Sequence, residues 1–537
     1  MNAKNVSSAC SAPSAVKISL MDVIELSLFA SRIEAVCEEM GAVLRRSAFS
    51  PNIRDRLDYS CAVFDAEGQL CAQAAHIPVH LGSMAYAMCD IVGGLDWQPG
   101  DMVVVNDPFL GGTHLPDVTV IAPVFAGPAQ GGELLGFVAN RAHHADIGGN
   151  SPGSMPISSR LEEEGIVIPP SYLMRAGVLD QVMLDTILAS TGNHGELRGD
   201  FAAQISANHS GVLRLVELVS SLGVVAWREA LNELNDYAER LAREALRCIP
   251  SGEYHFTDHL DDDGLGNFDL AIQARLRVGE DGIVVDFDGT APQTTGNVNC
   301  PLSVAAAGVF YVFRCLMPPQ TPACAGAFRA IQICAPLGCL LNAQRPAAVA
   351  AGNVETSSRV VDVICGALAQ AIPDGIPAAS HGGMNNLAMG ARADVNGHGK
   401  WDYYETMGGG MGAGRHGGGL SAVQTHMTNT LNTPIEVLEG NYPLRLRQYA
   451  IRRGSGGAGE RRGGDGLVRE FEFLAPAELT LLTERRRHAP WGLCGGGEGA
   501  KGANRLNGEL LPGKCAITVQ VGDRLSIATP GGGGWGK

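Results

Sequence analysis

Glycine sets the tightest limit on what this chain can fold into. It occupies 70 of 537 positions, roughly 13% where ~7% is usual, and it gathers toward the C-terminal third. No G-X-Y period runs through it, so a collagen-like helix is excluded, and the glycines must serve turns and close backbone approaches. Between them lie short β-branched runs and longer stretches of helical spacing. The expectation is a mixed α+β chain of several domains: an N-terminal site-bearing α/β part, a helical middle and a glycine-rich β part at the C-terminus.

The first helix is predicted from Asp22, where Leu26, Phe29, Ile33, Val36, Met40, Val43 and Leu44 keep one apolar face. It should stop near Ser50-Pro51, because the residue before proline avoids αR. Tyr59–Phe64 and Leu70–Ala74 read as a hairpin about the turn at residues 65–68. Met102–Val105, Val118–Val124 and Leu134–Ala139 read as core strands. Residues 180–248 form a helical block broken near Gly223. Beyond Pro250 the strands Glu253–His259, Asp269–Val278 and Ile283–Asp288 alternate with apolar helices at Ser303–Leu316 and Val360–Ala371. The expected boundaries are a disordered tail at 1–18, a metal-site region with the helical block at 19–250, an α/β region at 251–378 and the Gly-rich β region at 379–537.

Forty Lys and Arg oppose 56 Asp and Glu, a net charge of −16, which would repel nucleic acid and anionic membrane alike. No apolar run approaches the ~18 residues of a membrane span. The 14 cysteines are scattered with no CxxC pair, as in a chain with reduced thiols, and the expected compartment is the cytoplasm.

Chemistry concentrates in two post-strand segments, Asn106–Asp117 and Asn140–Gly149. If both emerge at one sheet edge, His114, Asp117 and either His143 or His144 supply two imidazoles and a carboxylate for a divalent metal, with positions left open. Asp58, on a neighbouring strand, is a further candidate ligand. His76 and His80 have i, i+4 spacing, but Pro78 between them argues against a helix, and they read as supporting or structural. Residues 352–359 precede an apolar helix with Thr356 or Ser357 as N-cap, whose N-terminus could receive an anionic group, so Asn353, Glu355 and Arg359 are candidates to bind substrate or an anion, with Arg141 from the second post-strand segment. The Arg452–Gly464 stretch reads either as an anion cradle or as a solvated hairpin tip.

Several signatures fail. There is no GxxxxGK[ST] phosphate loop, and Gly408–Gly414 lacks the strand and helix of a dinucleotide fingerprint. Ser151, in a GxSxG string, has no strand before it or helix after it. Cys300 precedes a helix but has no identified base, and reads as a buried thiol.

The residues 38–41, 45–53, 76–84, 106–117, 141–149, 352–359 and 485–492, with the terminal Thr529–Gly536, resemble the hydantoinase B/oxoprolinase family over nearly the whole chain. The resemblance is to B-type subunits such as N-methylhydantoinase B, and more distantly to large subunits of acetone and acetophenone carboxylases. It implies that ATP and Mg are held by a separate A-type ATPase subunit, which phosphorylates the substrate's carbonyl oxygen. The B-type chain then hydrolyses the activated cyclic amide (a hydantoin, oxoproline or lactam) or, in the other branch, carboxylates a ketone. It further implies a divalent metal at His114, Asp117 and His143 or His144, and a hetero-oligomer; the nitrogen and oxygen donors suit Zn, Mn or Fe, and a non-ligating carboxylate, Asp146 or Asp107, is the candidate general base.

Overall fold

The computed structural model describes residues 22–74, 76–127, 132–392 and 400–537; the tail expected at 1–18 lies outside them. The first helix, α1 (Val23–Ser47), begins with a capping box in which Asp22 and Glu25 satisfy each other's backbone N–H groups. A single turn, α2 (Pro51–Arg54), follows.

A seven-stranded sheet frames the N-terminal half. Its strands are β1 (Tyr59–Phe64), β2 (Leu70–Gln73), β3 (Met102–Val105), β4 (Asp117–Phe125), β5 (Leu134–His143), β6 (Ser171–Arg175) and β7 (Val178–Leu179). They lie in the order β2-β1-β5-β4-β3-β6-β7, and every pair is antiparallel. Strand residues alternate between faces, and each face has its own core. Cys61, Val63, Val118, Val120 and Val138 join the large core with α1, α5 (His194–Leu222) and α6 (Val224–Leu246). Ala62, Phe64, Ile121, Phe137 and Ala139 meet Met84, Met88 and Ile91 on the opposite face.

Those three residues belong to α3 (Pro78–Gly93), a helix the sequence reading does not anticipate. Pro78 does not interrupt it. Proline occupies the first helical position, where its missing N–H is not needed. The apolar spacing of Val79, Met84, Met88 and Ile91 was the signal for it. The helical block appears as α4 (Gln181–Ala189), α5 and α6, with Gly223 at φ +85° separating the last two.

The middle region holds β8 (Gly252–Asp262), β9 (Phe268–Val278), β10 (Ile283–Asp286) and β11 (Ile331–Cys334), with α7 (Leu302–Leu316) and α8 (Ser357–Leu368) packed alongside. The expected cap at Thr356 or Ser357 is absent. Gly352–Thr356 is a π-turn that runs straight into α8, and Thr356 is itself helical, so no free helix N-terminus exists there.

C-terminal strands form a four-stranded and a five-stranded sheet around a core of their own. The glycine clusters lie beside these sheets as neighbouring backbone segments. Gly464 N–H donates to the Met411 carbonyl (2.8 Å), Gly532 to Gly464 (2.9 Å) and Gly457 to Gly532 (2.8 Å). A Cβ on Gly463 would sit 2.0 Å from the Gly532 carbonyl oxygen, so no side chain fits. The Arg452–Gly464 stretch is part of this layer; Arg452 donates to the Lys501 and Thr529 carbonyls. Among the described residues no single helix is long and apolar enough to cross a membrane.

Candidate metal centre

Antiparallel pairing brings the start of β4 beside the end of β5, with Asp117 opposite His143. The next pairing joins Thr119 to Arg141, and Arg141 in turn to Ser60 on β1. Asp58, just before β1, accepts the His143 N–H through its carbonyl at 3.0 Å. Asp58, His143 and Asp117 therefore form one row across the sheet end, on the face that α3 covers. A tight turn, closed by Asp117 N–H on the His114 carbonyl (3.1 Å), adds His114.

One donor atom from each of His114, Asp117 and His143 lies within 4.8 Å of the others, and all three residues are buried. His114 Nδ1 lies 3.2 Å from the Ala350 carbonyl, which only accepts, so the proton is on Nδ1 and the Nε2 lone pair is free. That lone pair faces Asp117 Oδ2 at 3.3 Å. Two electron-rich atoms so placed need a cation between them, either a proton or a metal. His114 Nε2 and His143 Nε2 are both buried without a hydrogen-bond partner, a cost that metal ligation removes. Two imidazoles and one carboxylate are a donor set suited to a divalent transition metal.

The surroundings fix these groups. Asp117 Oδ2 accepts from Thr113 Oγ1 (2.5 Å) and Asn353 Nδ2 (3.1 Å). Although burial alone would raise it, the Asp117 carboxyl is held well below the usual range by His80 and His114. Burial pulls His114 down, but Asp117 outweighs it and raises the imidazole above its ordinary value. His143 stacks on Tyr404 (4.3 Å, 13°), and Arg56 covers Tyr404 at 4.8 Å. Arg56 donates to Asn52 Oδ1, which leaves Asn52 Nδ2 facing His143 Nδ1 at 3.3 Å. Ligation through His143 Nε2 puts a proton on Nδ1, so the Asn52 amide must then turn over, while Arg56 keeps its bond to the Tyr404 carbonyl (2.7 Å).

His80 is the residue that sequence reasoning undervalued. From the first turn of α3 its Nε2 reaches 3.2 Å from Asp117 Oδ1 and 3.9 Å from Asp58 Oδ1. Asp58 itself lies beside Arg56 and His80, and burial raises its carboxyl above the ordinary value.

Other sequence candidates lie elsewhere. His144 is turned to the opposite face, where Nε2 meets Gln204 Oε1 of α5 at 3.0 Å, because adjacent strand residues point apart. Arg141 is buried with all its bonds internal, to Thr119, Ser83 and the Gly111 carbonyl. Asp146 caps a loop through Gly148, Gly192 and Ser154. Asp107 pairs with Arg345 and caps Phe109. Both carboxylates suggested as general bases are thus committed to neighbours. Cys300 is fully buried, and burial pushes its thiol far above the ordinary value.

Glu355 and Arg359 belong to a second buried cluster. Arg359 donates to Glu484 (3.1 Å), Arg485 to Asp258 (2.8 Å) and Asp362, and Lys514 to Glu484. Asp261 accepts backbone N–H groups of Arg486, Arg487 and His488. Four cations (Arg359, Arg485, Arg486, Lys514) thus lie among five carboxylates (Asp258, Asp261, Asp362, Glu484 and Glu355), one anion more than they can neutralise. Burial, with Glu484 nearby, pushes the Glu355 carboxyl up to about 8.

Known proteins resemble this chain along nearly its whole length. The chain is 39% identical to 5-oxoprolinase 1 of Arabidopsis thaliana over 562 residues, taking in 98% of this chain but 43% of that protein. It therefore spans less than half of that longer relative. A Pseudomonas protein named as the B-type component of a D-/L-hydantoinase is 32% identical over 547 residues, 96% of this chain and 90% of its own. The crystal structure of an ATP-dependent caprolactamase from Pseudomonas jessenii superposes with a TM-score of 0.87 at 29% identity, covering 96% of this chain and 91% of that one. The Hydantoinase B/oxoprolinase model matches residues 22–537, a span that holds every donor of the centre, and the chain belongs to that family.

Proposed function

We propose that this chain is the amide-processing subunit of an ATP-dependent hydrolase of cyclic amides, working with a separate A-type ATPase subunit. The observation that carries this reading is the convergence of His114, Asp117 and His143 on one buried point with two orphaned imidazole nitrogens. Similarity to an ATP-dependent caprolactamase and to the B-type component of a hydantoinase supports it.

Resonance makes an amide carbonyl a poor electrophile. Phosphorylating its oxygen removes that resonance, which leaves addition of water at carbon and cleavage of the C–N bond, with a proton passing to the ring nitrogen and the phosphoryl group lost as phosphate, as the remaining tasks. A divalent cation (Zn, Mn or Fe), when bound, supplies Lewis acidity for both. His114, Asp117 and His143 hold it, Asn353 and Thr113 fix Asp117, and Tyr404 fixes the His143 ring. Asp58 and His80 border the centre and keep its environment polar. Activation occurs on the partner, which binds ATP and Mg; this accounts for a chain without a phosphate loop. The thiols of the described cysteines are free, in keeping with a cytoplasmic setting where ATP is also available.

The test is to purify the chain with its A-type subunit and follow ring opening of hydantoin and lactams. Opening that requires both subunits and ATP is expected. Opening by this chain alone without ATP contradicts the division of labour. Incorporation of labelled bicarbonate into acetone or acetophenone, with no ring opening, assigns the chain to the ketone carboxylase branch instead.

A further inference from the structure

A cavity of about 500 Å³ falls within the size range of small-molecule sites. One wall is Pro108–Gly111 and another is Asn342–Arg345. Both walls continue into the segments that hold His114. Gly112 accepts from Ser303 Oγ of the cavity lining (3.2 Å), and His114 follows two residues later, at most ~7 Å of chain. Ala350, whose carbonyl fixes the His114 tautomer, follows Arg345 along the other wall's chain. Arg141, beside His143 on the same sheet face, donates to the Gly111 carbonyl at 2.9 Å. The cavity is thus built from the framework of the donor cluster.

Its chemistry is selective. Phe109, Leu110, Ile91 and Leu302 give apolar walls, and Gln344 adds an amide. Its cation, Arg345, is already paired with the buried Asp107 and lies over the Phe109 ring at 5.2 Å. Asp90 also lines the cavity and has no salt-bridge partner among the described residues. One guanidinium therefore stands against two carboxylates.

We propose that this cavity takes the ring of an uncharged cyclic amide and disfavours one that carries its own carboxylate; this rests on the amide-hydrolase reading above. A substrate carboxylate would have to share Arg345 with Asp107 and approach Asp90, with no cation to spare. A neutral ring packs on the apolar walls and brings no charge that needs a counterion, and its amide edge pairs with Gln344.

Two probes differ in the carboxylate alone: 2-pyrrolidinone and 5-oxoproline. With the A-type subunit and ATP, kcat/KM is expected to favour 2-pyrrolidinone at least tenfold. Asp90→Lys, at an exposed position, is expected to narrow that ratio at least fivefold through a lower KM for 5-oxoproline, and Asp107→Asn, which frees Arg345, to do the same. Leu110→Trp, at the half-exposed rim, should raise KM for both. A wild-type preference for 5-oxoproline, or a ratio unmoved by Asp90→Lys, overturns the proposal. If the complex opens no ring at all, the functional reading has failed. Calorimetric binding of the two probes to the chain alone then decides the cavity: the same order supports it, and tighter 5-oxoproline refutes it.

Discussion

Replacing Glu355 with Gln should make the protein more stable, and increasingly so as the pH rises. Glu355 is fully buried, with Oε1 accepting the Met384 N–H at 3.0 Å and Oε2 without a partner. The carboxylates of the cluster outnumber its cations by one, so an ionised Glu355 would be a surplus anion. Its carboxyl is held at about 8 when folded against 4.5 ordinarily. The unfolded chain therefore releases this proton near pH 4.5, while the folded chain keeps it to about pH 8. Between those values the folded state binds more protons, so wild-type stability falls as pH rises. At ~1.4 kcal/mol per pH unit the loss is roughly 4–5 kcal/mol by pH 8. Gln keeps the Met384 bond and has no proton to lose. Urea midpoints of the two proteins at pH 5 to 9 should nearly coincide at the acid end, diverge through pH 8 and run parallel above it. A gap that does not change with pH, or a variant weaker throughout, would show that Glu355 is ionised and paired, and would refute the charge count.

Three further perturbations probe the framework. Lys514→Met leaves Glu484 with Arg359 alone in the buried cluster and should cost about 3–5 kcal/mol in denaturant titrations at pH 7. His80→Gln, which removes the imidazole beside Asp117, should weaken metal binding about 10–100-fold in chelator competition while the melting temperature of the metal-free protein stays close to wild type. Gly463→Ala places a methyl 2.0 Å from the Gly532 carbonyl oxygen; a loss of at least ~1–3 kcal/mol is expected from the forced backbone shift, read by thermal unfolding.

Much of the fold was legible because burial follows spacing. The seven apolar positions of α1 predicted its buried face, and all but the half-buried Val43 are buried. Gly223 marked the break between α5 and α6. At the site, the two post-strand segments do converge, because antiparallel neighbours place the start of one strand beside the end of the next. The choice between His143 and His144 was not legible. Alternation says that they point apart, but which face α5 covers depends on contacts far along the chain, such as Asn140 and His144 with Gln204. His80 is easily underrated, because a proline amid helical spacing argues for a break, whereas Pro78 begins the helix. Arg359 reads as an anion or substrate ligand because its carboxylate partner, Glu484, lies more than a hundred residues away in sequence, and the charged groups around Glu355 come from equally distant segments. The π-turn at Gly352–Thr356 had no local signal beyond Gly352 itself, whose Cβ would meet the Asn299 carbonyl at 1.9 Å.

Metal content of the purified chain bears most directly on the centre at His114, Asp117 and His143. Elemental analysis after dialysis should find close to one divalent transition-metal ion per wild-type chain, and almost none in a folded Asp117→Asn variant. A wild-type chain that holds no ion after metal supplementation, or an Asp117→Asn chain that retains it in full, would contradict the assignment.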